Sequence, residues 1–314
     1  MTVEGKHIAI VGAGLVGSGW AVVFARAGHD VRVYDPSEAV RRGVLSWAKS
    51  TLSSLHSAGL LDDPTGVLER IDIVDSMAGA VRGAAYIQES VFETVEAKSS
   101  VSLEIDRYLS AHAVVGSSSS GIPASRFTES CENRTRFLVA HPVNPPHLVP
   151  VVELVPAPWT DPLAIDRARQ LMGEVGQVPV TLQREVDGFI LNRLQGALLN
   201  EAFALYSEGY SSISDIDATV RAGLGLRWLF MGPFETIDLN APSGIADYAA
   251  RLGPMYHQMA LSRRDPQPWS PETIKAAEAE RRTLLPFDQL AQRREWRDHV
   301  LARLSAFKLT EGIP

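Results

Sequence analysis

The residues in this sequence best suited to moving a proton are His141 and Glu153. His141 opens the run His141-Pro-Val-Asn-Pro-Pro, directly after an apolar stretch that reads as a strand. Glu153 lies on the following strand, beyond a proline-rich turn that can send the chain back toward the histidine. A carboxylate on one imidazole nitrogen fixes the tautomer and stabilises the imidazolium, leaving the other nitrogen to take a hydroxyl proton. Oxidation of an alcohol by loss of hydride needs such a base. Taken singly, the two have plainer readings, a packed structural histidine and a solvated strand-end carboxylate. Ser120, just beyond another strand, and Asn192, in a long helix between Leu191 and Leu194, add polar groups able to donate to a substrate oxygen. Alone they would read as a loop hydroxyl and a helix-packing amide.

A second constellation points to a dinucleotide. Gly12-Ala-Gly14-Leu15-Val16-Gly17 follows the short β-branched run at residues 7 to 11 and opens a helix, the context the phosphate-binding fingerprint requires. Gly12 permits the tight turn, Gly14 lets a pyrophosphate approach the backbone, and Gly17 lets the helix pack on the strand. The helix N-terminus, with Leu15 and Val16, offers N–H groups to phosphate. Asp35 stands at the end of the second strand, where a carboxylate accepts from ribose hydroxyls and repels a 2′-phosphate, favouring NAD over NADP. A strand–turn–helix without a ligand is the plainer alternative. Flavin proteins share the fingerprint, and it is the His141 set that speaks for nicotinamide.

Positioning these groups requires a parallel sheet. Strands are predicted at residues 7–11, 30–34, 72–75, 85–88, 113–116, 137–140, 151–155 and 178–182, with helices at 16–27, 40–56 and 162–175 and helical composition at 95–109. That alternation predicts an N-terminal Rossmann-type, doubly wound α/β domain over residues 1–187, and His141 then sits at a carboxyl edge where such sheets bind ligands. From Gly188 no strand is convincing, so residues 188–314 are expected to form an all-α domain. Its first helix, Gly188–Glu208, carries an apolar stripe too wide for a surface helix, Ile190, Leu194, Leu198, Ala202 and Leu205 widened by Leu191, Leu199, Phe203 and Tyr206. It should be buried against a domain or a second subunit. Ser270-Pro-Glu reads as a helix start.

Composition excludes several classes. Lys plus Arg total 30 against 37 Asp plus Glu, a net charge of −7, so no nucleic-acid-binding surface is indicated. The single cysteine, Cys131, rules out an intramolecular disulfide and agrees with a reducing cytoplasm. No apolar run is long enough to span a bilayer, and the start, Met1-Thr-Val-Glu-Gly, lacks a signal-peptide core. No Cys/His cluster has metal-ligand spacing, and the arginines from Arg281 onward read as a solvated helix face.

Beyond these patterns, the whole chain resembles the 3-hydroxyacyl-CoA dehydrogenase family. The resemblance rests on residues 8–20, on Ala140-His-Pro-Val-Asn-Pro-Pro, Val152-Glu-Leu-Val-Pro and Asp187-Gly-Phe-Ile-Leu-Asn-Arg-Leu-Gln, and on Gly223-Leu-Gly-Leu-Arg-Trp with Gly232-Pro-Phe-Glu-Thr. It implies His141 as base, Glu153 as its orienting partner, and Ser120 and Asn192 as ligands of the substrate oxygen. It also implies Glu93 and Lys98 at the nicotinamide half of the NAD site, a pair that would otherwise read as an exposed helix ion pair. A homodimer joined through the helical domain is implied as well.

The resemblance leaves the substrate open. Acyl-CoA members usually carry two aromatic residues directly after the histidine, where this chain has Pro142 and Val143. That departure points to a free 3-hydroxy acid, L-gulonate-like, with its carboxylate clamped by Arg227. Arg227 stacked on Trp228 or paired with Glu235 is the plainer reading. Carnitine dehydrogenases are related and act on another 3-hydroxy acid. The alternatives are a short-chain 3-hydroxyacyl-CoA thioester as substrate, or a non-catalytic NAD-binding protein, which would be expected to have lost the His141 set.

Overall fold

The computed structural model describes residues 7–313. The expectation drawn from the first five residues therefore lies outside the described region. β1 (His7–Val11) leads through α1 (Leu15–Arg26) to β2 (Val31–Tyr34), and α2 (Glu38–Ser57) and α3 (Pro64–Leu68) lead to β3 (Ile71–Ile73). Next come α4 (Met77–Val81), β4 (Ala84–Glu89), α5 (Val95–Tyr108) and β5 (Val114–Ser117). Then α6 (Ser125–Thr128) precedes β6 (Phe137–Pro142), followed by β7 (Val151–Pro156), α7 (Pro162–Glu174) and β8 (Val178–Thr181).

These strands form one eight-stranded sheet in the order β3-β2-β1-β4-β5-β6-β7-β8. Every neighbouring pair is parallel except β6 and β7, which run antiparallel. The order reverses between β1 and β4, which opens the crevice where doubly wound sheets take their ligands. Alternation along β1 serves both faces: Ile8 and Ile10 join one core cluster, Ala9 and Val11 the other. α1 is buried continuously from Gly17 to Ala25, with Trp20 and Phe24 stacked at 5.5 Å between ring centroids. Each such large apolar side chain stabilises the fold by about 2–3 kcal/mol when fully buried. α2 buries only Val44, Ala48, Leu52 and Leu55, the one-sided stripe of a surface helix, and Ser37 caps its first turn.

From Gly188 onward the described residues hold no strand. The helices are α8 (Leu191–Ser207), α9 (Ile213–Thr219), α10 (Gly225–Trp228), α11 (Pro233–Leu239), α12 (Gly244–Leu261), α13 (Pro271–Leu284) and α14 (Leu290–Glu311). Ser270 caps α13 and Pro271 occupies its first turn, as its sequence predicts. The predicted helix from Gly188 starts three residues late, however. Gly188 (φ 75°) and Phe189 (φ 51°) are left-handed, and this turn delivers the N–H groups of Ile190 and Leu191 to the Glu153 carboxylate.

The chain divides into two compact units, Met1–Arg193 with Arg297–Phe307, and Leu194–Trp296 with Lys308–Pro314. Within the second, Arg263 forks between Glu201 (2.9 Å) and Glu208 (2.6 Å), and Phe203 stacks on Trp269 at 4.2 Å. This unit has almost no core: Ala241 and Ala277 are its buried apolar residues among those described. Leu194, Leu226, Phe234, Leu239 and Phe287 are all more than half exposed.

Candidate functional site

The glycine turn has the shape its sequence demands. Gly12 has φ 92°, and a β-carbon there would lie 2.6 Å from the Ser90 carbonyl oxygen. At Gly17 a β-carbon would fall 1.9 Å from the Gly12 carbonyl oxygen, so α1 packs where only hydrogen fits. Gly14 differs: its missing side chain faces open space, and as the N-cap of α1 it makes no side-chain cap. Leu15 beside it is 68% exposed, although a helix buried from Gly17 onward would gain by covering it. Unfilled space, an uncapped helix N-terminus and an exposed turn fit a pyrophosphate. Asp35 braces the turn, accepting the Ala13 N–H at 2.9 Å and the Ser37 N–H at 2.8 Å. Its carboxylate is thereby held at the end of β2, the position from which doubly wound dinucleotide-binding sheets contact a ribose.

His141 and Glu153 lie directly opposite each other in the antiparallel β6–β7 pair. That pairing puts both side chains on one face of the sheet. His141 Nδ1 is 2.8 Å from Glu153 Oε2, and both residues are buried. Glu153 Oε1 accepts the N–H groups of Ile190 (2.8 Å) and Leu191 (2.9 Å), so one carboxylate holds the imidazole and caps α8. Burial pushes the Glu153 carboxyl up, but the His141 hydrogen bond, the Leu191 and Ile190 N–H groups and the imidazole charge together hold it below the ordinary carboxylate range. A carboxylate so held takes the proton on Nδ1 as its hydrogen-bond partner and leaves Nε2 as the free nitrogen. Phe189 is buried against the imidazole, with ring centroids 5.7 Å apart.

Ser120 follows β5, whose Ser117 pairs with Val139 of β6, so it reaches the same sheet edge as His141. It is exposed and held from two sides. Glu93 Oε1 accepts its N–H at 2.7 Å and its hydroxyl at 3.2 Å, and Asn192 Nδ2 donates to its carbonyl at 2.5 Å. Asn192 is the second residue of α8, which starts at Leu191. The loop and the helix start are thus tied together by the two polar residues singled out from the sequence.

Glu93 and Lys98 are not the exposed helix pair of the plainer reading. Lys98 is fully buried, and Glu93 precedes α5 in the loop after β4. Lys98 Nζ lies 3.3 Å from Glu93 Oε2 and 3.2 Å from Glu89 Oε1, where a buried ammonium finds its compensation. Burial pushes the Glu93 carboxyl up, but Lys98 and donors from Ser119, Ser120 and Gly121 outweigh it and lower it overall. Arg227 lies on α10 in the second unit and is exposed. Among the described residues it makes neither a ring contact with Trp228 nor an ion pair with Glu235. No group of three or more His, Cys, Asp or Glu among the described residues is arranged to hold a metal ion, and no described helix is long and apolar enough to cross a membrane.

Three participants escape sequence reasoning. Glu89 ends an apolar strand, and a buried carboxylate there is a visible but unspecific signal. Phe189 and the Ile190–Leu191 N–H pair carry no signal at all, since they depend on where α8 begins.

Comparison with known proteins covers both units. Residues 7–186 match the model of the 3-hydroxyacyl-CoA dehydrogenase NAD binding domain, and residues 188–288 that of the 3-hydroxyacyl-CoA dehydrogenase C-terminal domain. The chain is 38% identical over 306 residues to lambda-crystallin of Oryctolagus cuniculus, covering 96% of each chain. It is 37% identical over 318 residues to a 3-hydroxyacyl-CoA dehydrogenase of Gibberella moniliformis, covering 98% of this chain and 96% of the relative. Among solved structures, an NAD+-dependent 5-formyl-3-hydroxy-2-methylpyridine 4-carboxylic acid 5-dehydrogenase superposes with a TM-score of 0.76 at 26% identity, covering 98% of this chain and 99% of that one.

Proposed function

The chain belongs to the 3-hydroxyacyl-CoA dehydrogenase family, and from that premise we propose that it oxidises a small free 3-hydroxy acid to the 3-keto acid, with His141 as general base. NAD, when bound, supplies the hydride acceptor. The turn from Gly12 to Gly17, with Leu15 and Val16, would hold its pyrophosphate, Asp35 its adenine ribose, and Glu93 and Lys98 its nicotinamide half. His141 Nε2 takes the substrate hydroxyl proton while the carbon-bound hydrogen leaves with its electron pair. Glu153 keeps the proton on Nδ1 and stabilises the imidazolium that results. Ser120 and Asn192 orient the substrate oxygen, the Ser120 hydroxyl turning from its long contact with Glu93.

The observation that carries this reading is Glu153 Oε2 at 2.8 Å from His141 Nδ1 in a buried, mutually opposed pair. The test is His141→Gln. Turnover should fall by about 100-fold or more while NADH still binds, as judged by its fluorescence. Unchanged turnover would remove His141 from the mechanism.

The substrate class rests on Pro142 and Val143, which replace the aromatic pair usual after this histidine in the acyl-CoA members, and on Arg227 as carboxylate clamp. An L-gulonate-like acid is the preferred substrate. A short-chain thioester is the second reading, favoured by the likeness to the Gibberella moniliformis enzyme. We assign the domain boundary to Asp187 and place the protein in the cytoplasm as a homodimer formed through residues 188–314. In support, that region buries almost no apolar side chain of its own. Sedimentation at micromolar concentration should give twice the monomer mass, and a monomer there would contradict the assignment.

A further inference from the structure

Behind Ser120 runs a line of charge whose inner end, Glu89, has no part in the proposed chemistry. Glu89, the last residue of β4, is 1% exposed and sits between Val11 of β1 and Ser117 of β5 in the sheet register. Its Oε1 accepts the Val91 N–H at 2.7 Å and Lys98 Nζ at 3.2 Å; its Oε2 accepts Lys98 Nζ at 3.3 Å and the Ser117 hydroxyl. The Lys98 ammonium then reaches outward to Glu93 Oε2. Glu93 presents its other oxygen to the loop: Oε1 accepts the Ser119 hydroxyl (2.8 Å), both donors of Ser120 and the Gly121 N–H (3.1 Å). Carboxylate, ammonium and carboxylate thus form a strut from the middle of the sheet to the loop that carries Ser120.

We propose that Glu89 is a positioning residue for Ser120, acting through Lys98 and Glu93. This rests on Ser120 facing the substrate, as in the proposed function. A buried ammonium is tolerated only with compensating charge close by, so Glu89 fixes both the charge and the place of Lys98. Lys98 in turn holds Glu93 by Oε2, leaving Oε1 in a single orientation toward four donors. With Glu89 neutral, Glu93 becomes the only carboxylate on a buried ammonium and is drawn from the loop toward it. Ser120 then loses the acceptor that sets its backbone and its hydroxyl.

Hydrogen–deuterium exchange reads the strut without turnover. In Glu89→Gln, the amides of Ser120 and Gly121 should exchange about tenfold faster, the scale of one lost charge-assisted hydrogen bond. Amides of β1 should be unchanged. Unchanged exchange at Ser120 and Gly121 would overturn the proposal. A double-mutant cycle reads the consequence, on whichever of L-gulonate, the 3-hydroxybutyrate enantiomers, carnitine and 3-hydroxybutyryl-CoA is turned over fastest. Glu89→Gln should lower kcat/KM about tenfold in the wild type, but by less than about twofold when Ser120 is already alanine. Factors that simply multiply would sink the strut alone, while a Ser120→Ala variant with full activity would sink the role of Ser120 in the proposed function too. Should Glu89→Gln fail to fold, Glu89→Asp, which keeps the charge but draws it back from Lys98 by one methylene, carries the same exchange and cycle measurements; smaller changes in the same direction are expected, and unchanged exchange at Ser120 and Gly121 would overturn the proposal.

Discussion

Glu153 faces His141 across the single antiparallel pair of the sheet, and its second oxygen holds the first N–H groups of α8. One carboxylate therefore sets the imidazole tautomer and the start of the helix that bears Asn192. Glu153→Gln keeps the shape but not the charge. Turnover should fall by about 100-fold, with NADH affinity little changed. Because the Glu153 carboxyl is held below its ordinary range, its own titration should put no limb on the activity profile above the ordinary carboxylate range. Equal turnover in wild type and Glu153→Gln, measured by NADH formation, would break the pairing argument.

Gly14 and Gly17 of the glycine turn should separate under substitution. Gly14→Ala places its methyl in open space, so the thermal midpoint should hold while NADH affinity falls. Gly17→Ala drives a methyl into the Gly12 carbonyl and should cost about 1–3 kcal/mol of stability, visible in denaturant unfolding. The reverse pattern would mean that phosphate does not approach at Gly14.

His147 gives the fold an acid limit. Burial first, then the Arg26 charge, press its imidazole down to about 4, and its Nδ1 is buried without a partner among the described residues. The folded state therefore binds this proton less readily than the unfolded chain, whose histidine titrates near 6.5. Stability from this residue is complete above that value and is lost as pH falls toward 4, by about 3 kcal/mol in all. Urea unfolding of wild type and His147→Leu across that window checks the sign. The wild type should lose more stability on acidification than the variant.

Arg227→Ala should raise KM for the best free acid about tenfold or more, the scale of a lost charge-assisted pair, with kcat less affected. Steady-state kinetics decide it, and an unchanged KM would remove the clamp.

Much of this site is legible in the sequence because its parts lie at strand ends. Gly12, Asp35 and His141 each close a β-branched or apolar run, so period and punctuation place them at the carboxyl edge. The proline-rich turn before Glu153 carries the reversal that opposes it to His141. Burial of Lys98 is not legible, since a lysine three residues into an amphipathic helix looks exposed until β4 and α6 are packed around it. The start of α8 is equally hidden, because Gly188 and Phe189 take left-handed conformations to satisfy a carboxylate from another strand. The wide apolar stripe of that helix is visible in the sequence, yet none of its residues is buried in this chain.

The most direct test of the account is NAD reduction by the purified protein, followed through nicotinamide absorbance. The panel is L-gulonate, both enantiomers of 3-hydroxybutyrate, carnitine and (S)-3-hydroxybutyryl-CoA. Turnover of a free 3-hydroxy acid well above the thioester is the predicted result. A clear preference for the thioester would contradict the reading of Pro142, Val143 and Arg227, and no turnover of any member would contradict the assignment of His141 and Glu153 to catalysis.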